Sequence, residues 1–343
     1  MDEHATAPER RVDGRIDRST VRTVLGPVPA DDLGVVGVHE ALLSITPGAE
    51  YAFDVHIDRA EVFDALAERL IRFREHGGRT IVDATGMFHG RDVRLAEALS
   101  RTTGVHIVAS TGMGPEELLG GYFLTPQTDP PTPWPAERFA DLFAREVTEG
   151  MVVPRVERRG SAGLIATAVT RSGMTATDES LVRGAARAAR ATGAPLSLRY
   201  GSNAAHDLDV VLDEGLPADR VVVGGLDRRD ALPEDAASAV ARRGAFVVLD
   251  HVGQDDDVDV LTDRERVDLV LRLLGEGLGD RVLLSSGAVG VAFGSPATER
   301  SYEQVLSVFV PLLTAHGVDA ADIRRFLVDN PRDLLAGPPA EQP

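Results

Sequence analysis

The chain has 343 residues, 43% of them hydrophobic and 26% charged, with a formal net charge of −18 and neither cysteine nor lysine. That length is enough for one large domain with a sizeable core. The absence of cysteine excludes disulfides, thiolate metal sites and cysteine nucleophiles, and the acidity argues against nucleic-acid or anionic-membrane binding.

Residues 1–20 read as a polar tail, because Met1 to Asp17 alternates charges and lacks the apolar core of a signal peptide. From there on, short β-branched runs alternate with longer amphipathic segments, the pattern of repeated βα units on a parallel sheet. Candidate strands lie at Val35–His39, Thr80–Asp83, Val105–Ser110, Leu164–Val169, Leu196–Arg199, Val221–Gly224, Phe246–Asp250 and Val282–Ser286. Helical patterns fall at Asp58–Glu75, Asp92–Thr102, Ala136–Glu149, Asp178–Thr192 and Arg264–Leu278. Eight such units predict a (β/α)8 TIM barrel as a single domain over residues 21–336, with a doubly wound open sheet as the competing topology. The Gly- and Pro-rich stretch 112–135 is long for a βα loop and reads as a lid, and residues 337–343 as a disordered tail. No apolar run is long enough to span a bilayer, and a chain without cysteine is expected in the cytoplasm.

Several segments carry a resemblance. Thr23–Val28 (TVLGPV), Leu33-Gly34 and His39-Glu40 come first, then Thr80–Thr85 (TIVDAT) and Gly90-Arg91-Asp92. Gly104–Gly112 (GVHIVASTG), Ser161–Ile165 (SAGLI), Ala188–Pro195 (AARATGAP) and Asp329-Asn330-Pro331 follow in the same order. Together they resemble the phosphotriesterase family of the amidohydrolase superfamily. The resemblance implies a barrel, a homodimer, and two divalent metals bridged by a carboxylated lysine at the C-terminal mouth. The chain departs from that ligand set. The second histidine of the first strand is Ala41, and the lysine position is Ala166, or Thr167 if the register slips by one. The histidines expected on strands five and six are Arg199 and Gly225, and the aspartate of strand eight is Gly287. A lone His39 falls short of the three protein ligands that a catalytic metal needs, and Arg199 puts a permanent cation beside it. No metal and no cofactor are expected.

Polar residues remain at the predicted mouth. Asp250 could orient the adjacent His251 as a general base, and His39 is a surviving acid–base candidate. A regular strand would turn Glu40 away from His39, outward into the helix layer. Arg199 needs an anionic partner, either an internal carboxylate (Asp83, Asp227 or Asp250) or a ligand carboxylate or phosphate. Ser286 and Gly287 open a glycine-rich run after strand eight that could add backbone amides to an anion site. His89 falls on a mouth-side loop and could join His39 and His251 in a rebuilt metal site, although no two of them share a strand or helical spacing. His56, His206, Asp207 and the Asp255–Asp257 run read as solvated. Two readings follow. One is metal-independent acid–base chemistry on, or binding of, an anionic small molecule; the other is a non-catalytic scaffold. Residual lactone or ester hydrolysis with a single recruited metal is a third.

Overall fold

The computed structural model describes residues 20–119, 132–153, 157–231, 235–295 and 300–336. The polar tail apart from Thr20, which opens a strand, the C-terminal tail and most of the expected lid lie outside them. All eight expected strands form: β1 (Val35–Ile45), β2 (Gly78–Asp83), β3 (His106–Thr111), β4 (Leu164–Ala168), β5 (Leu196–Arg199), β6 (Val221–Gly224), β7 (Phe246–Leu249) and β8 (Val282–Leu284). They neighbour one another in chain order from β1 to β8, all parallel, and Val289–Phe293 adds a ninth strand beside β1. A doubly wound sheet would reverse its strand order partway, and this order does not reverse.

Period-two alternation within these apolar strands sorts side chains into two cores. Val36, Val38, Val82, Val108, Leu164, Val222, Phe246, Val248 and Leu283 pack with one another inside the curl of the sheet. Their alternates, including Ile81, Ile107, Ile165, Val223, Val247 and Leu284, face outward. There they meet α1 (Arg59–Glu75), α2 (Val93–Thr103), α3 (Ala136–Thr148), α4 (Ala176–Thr192), α5 (Ala204–Leu212), α6 (Ala236–Arg242) and α7 (Asp263–Gly275). An inner core of this kind requires a curled, TIM-like sheet. Each fully buried Val, Leu or Phe contributes about 1.5–3 kcal/mol.

The two ends of the curl differ. The hairpin of Thr20–Thr23 and Gly26–Pro29 contributes Val21 to one end, joined by Leu33, Leu334 and Leu335, and these residues plug it. The C-terminal ends of the strands stay polar and line a pocket. The helices start where their caps dictate. Thr175 forms a capping box with Asp178 ahead of α4, so that helix begins two residues before the expected Asp178. Among the described residues no helix is long and apolar enough to cross a membrane.

Candidate functional site

The pocket, about 560 Å³ in volume, is lined by residues from the ends of the strands, among them His39, Glu40, Thr167, Arg199, Asp250, His251 and Gly287. Its first feature is a break in β1. His39 has a φ of +57°, and the register with β2 shifts between Gly37 and Glu40. A left-handed residue interrupts the alternation of a strand, so consecutive side chains reach the same side. Glu40 therefore turns inward with His39, and the outward position expected from a regular strand is corrected.

Glu40 is buried. Its Oε1 accepts from Ser285 Oγ at 2.9 Å and from the Ser286 amide at 3.2 Å; its Oε2 accepts from the Ala288 amide at 2.6 Å and from Ser286 Oγ at 3.1 Å. These bonds tie β1 to the segment that follows β8. Burial pushes the Glu40 carboxyl up to about 7, against the pull of those four donors. Ser286 is thus buried with its hydroxyl turned to Glu40, while Gly287 lines the pocket.

Asp250 follows β7 and lies between two imidazoles. Its Oδ1 accepts from the Gly225 amide at 3.0 Å and lies 3.1 Å from His251 Nδ1; its Oδ2 lies 3.4 Å from His39 Nδ1. Burial opposes its charge, but His251, the His39 hydrogen bond and Arg199 together hold it well below the ordinary carboxylate range. His39 Nε2 pairs with Ser197 Oγ at 2.7 Å. Gly224 makes room for this pair, because a Cβ there would sit 2.8 Å from Asp250 Oδ2 and 3.0 Å from His39 Cε1.

The closest carboxylate to His251 is Asp227, not its sequence neighbour Asp250. His251 Nδ1 lies 2.5 Å from Asp227 Oδ1, and Asp227 Oδ2 accepts from Arg266 Nε at 2.8 Å. Arg266 is fully buried and donates onward to Asp263 at 2.7 Å. On the other side, Arg199 Nη2 lies 2.8 Å from His251 Nε2. A guanidinium only donates, so Nε2 accepts, Nδ1 carries the hydrogen, and the imidazole is neutral in this arrangement. Arg199 has no carboxylate within ion-pair distance among the described residues, which corrects the expectation of an internal salt bridge.

Arg266, Ser197 and Arg300 were not singled out by sequence reasoning. The one signal for Arg266 is its place among the apolar positions of α7, where Val267, Val270 and Leu273 are buried. His89 lines the pocket, and burial lowers its imidazole from the usual value. His56 is exposed as expected, and so are Asp255, Asp256 and Asp257. Asp207 is buried, a correction, because its Oδ2 caps the Gly201 amide at 2.8 Å; its neighbour His206 is exposed.

The residues present do not fit a two-metal centre of the implied kind. Ala41, Ala166, Arg199 and Gly287 line the pocket where ligands are expected, Gly225 has no side chain, and both nitrogens of His39 have protein partners. Asp227, Asp250 and His251 do bring potential ligand atoms within 4.8 Å of one another. All three groups are already engaged, Asp227 by Arg266, His251 by Arg199, and Asp250 by the Gly225 amide and His39.

A model of the Phosphotriesterase family matches residues 19–335. The chain is 26% identical to an aryldialkylphosphatase of Saccharolobus solfataricus, over 90% of this chain and 97% of that protein. It is 25% identical to an N-acetyltaurine hydrolase of Tetraodon nigroviridis, over 92% of this chain and 97% of that protein. Its fold is similar to the solved organophosphorus hydrolase of Deinococcus radiodurans, with a TM-score of 0.82 and 25% identity over 94% of this chain and all of that one (100%).

Proposed function

The chain belongs to the phosphotriesterase family, and from that premise we propose that it is a metal-depleted, eight-unit closed barrel whose pocket binds an anionic small molecule or moves protons on it. The observation that carries this reading is Arg199. It stands at a strand end where the family implies a metal ligand, bonded to a neutral imidazole and to no carboxylate among the described residues. A carboxylate or phosphate is the natural partner for such a guanidinium.

The same geometry supplies a proton-transfer route. An anion that draws Arg199 to itself takes the guanidinium off His251 Nε2 and frees that lone pair as a general base. Asp227, held in place by Arg266, then stabilises the imidazolium that forms. Asp250 and His39 form a second carboxylate–imidazole pair on the same wall.

Hydrolysis with one recruited metal at Asp227, Asp250 and His251 is the alternative, favoured only by the closeness of their ligand atoms. Metal analysis after exposure to zinc, cobalt and manganese separates the two. We expect less than about a tenth of an equivalent. One firmly held equivalent overturns the metal-free reading. Arg199→Ala should abolish anion binding and leave the fold intact; loss of stability alone would point to a scaffold.

We further propose a cytoplasmic homodimer. Supporting a paired assembly, Tyr51, Phe53, Phe88 and Leu118 are exposed, and all but Phe53 line one groove of about 1180 Å³.

A further inference from the structure

The polar groups in and just beneath the pocket divide into two sets. In one, Asp227 after β6, Asp250 and His251 after β7, Ser285 and Ser286 after β8, and Glu40 on β1 bond to one another or to backbone amides. In the other, at the ends of β5 and β4, on the loop after β2 and on the segment beyond β8, hydrogen-bonding capacity is left over among the described residues.

Among the described residues Arg199, at the end of β5, bonds through its side chain to His251 alone, and the buried Thr167 hydroxyl on β4 has no partner. The His89 ring, on the loop after β2, makes no hydrogen bond among the described residues and is partly buried. Arg300, beyond β8, lines the pocket, and its buried Nε has no partner among the described residues. Its backbone is anchored, because Arg69 of α1 donates to the Arg300 carbonyl at 3.1 Å. Burial lowers the Arg300 guanidinium, and the charge of Arg199 adds to that effect against Glu40 and Asp250. Arg199 and Arg300 line the same pocket. Buried donors without acceptors are rare in folded proteins, and here they converge on one cavity.

Resting on the anion-binding reading above, we propose that the ligand carries two anionic groups, one held by Arg199 and the other by Arg300, with Thr167 and His89 bonding to the stretch between them. A dicarboxylate or a phosphorylated carboxylate is the chemical class. Arg300 is the residue that selects a dianion over a monoanion.

Titration calorimetry on the full chain tests this with succinate, glutarate and adipate against butyrate, valerate and inorganic phosphate. At least one dicarboxylate should bind roughly 10- to 100-fold more tightly than the monocarboxylate of similar length, the value of one charge-assisted contact. Arg300→Gln should weaken dicarboxylate binding and so erase that gap, whereas Arg199→Gln should weaken mono- and dicarboxylates alike. Thermal melting of each variant checks that the fold is retained. Equal binding of mono- and dicarboxylates, unaffected by Arg300→Gln, overturns the dianion proposal and leaves anion binding at Arg199 standing. Binding that survives Arg199→Gln overturns the anion-binding reading itself, and silence across the whole panel overturns both.

Discussion

His39 and Glu40 show how one backbone angle redistributes chemistry. With φ at +57°, His39 breaks the alternation of β1 and brings its neighbour's carboxylate into the pocket wall. That carboxylate has a testable pH signature. Its folded value, about 7, lies above the ordinary 4.5, so the folded protein holds this proton more tightly than the unfolded chain does. Its stabilising contribution is complete below about pH 4.5 and is lost as the pH rises through about 7. The advantage in urea unfolding of the native protein over Glu40→Gln should therefore shrink from pH 4.5 to 7 and level off above it, because glutamine does not titrate. An advantage that stays constant across that range would mean that Glu40 is not perturbed.

Between elements, the bond that matters most is the one from α7 to the loop after β6. Arg266 is fully buried and links Asp227 to Asp263. Removing one partner of a buried pair leaves the others charged and dry, so Arg266→Leu should destabilise the fold by about 3–5 kcal/mol. Denaturant unfolding measures this, and a cost under about 1 kcal/mol, typical of exposed pairs, would contradict it. By contrast, Thr175→Ala at the start of α4 removes a cap worth about 1 kcal/mol and should leave the pocket unaffected. The two substitutions distinguish an element boundary, which is read locally, from a buried network that is assembled across the fold.

For the molecule as a whole, the exposed aromatic face predicts its assembly. Light scattering should give twice the mass of one chain, and Phe53→Glu should shift it toward a single copy. An unchanged dimer would place the interface elsewhere. The strand sequence was legible because parallel strands buried on both faces read as short apolar runs, and Val221–Gly224 and Phe246–Leu249 stand where those runs predicted. The starts of the five expected helices were legible to within two residues, since caps are local hydrogen bonds, while the short α5 and α6 were not singled out. The positions of Arg199, Asp250 and His251 at the mouth were legible too, because they close or directly follow their strands, whereas His39 stands at the break inside β1. Their partners were not. Asp227 reaches His251 across 24 positions and Arg266 reaches Asp227 across 39, and no spacing rule operates over such separations. The sequence by itself determined the order of βα units and the family, both carried by local pattern or residue identity. Only the tertiary structure decided which carboxylate orients His251, that Glu40 faces inward, and that Arg199 and Arg300 share a pocket, because hydrogen-bond partnership and burial are set by where distant segments meet.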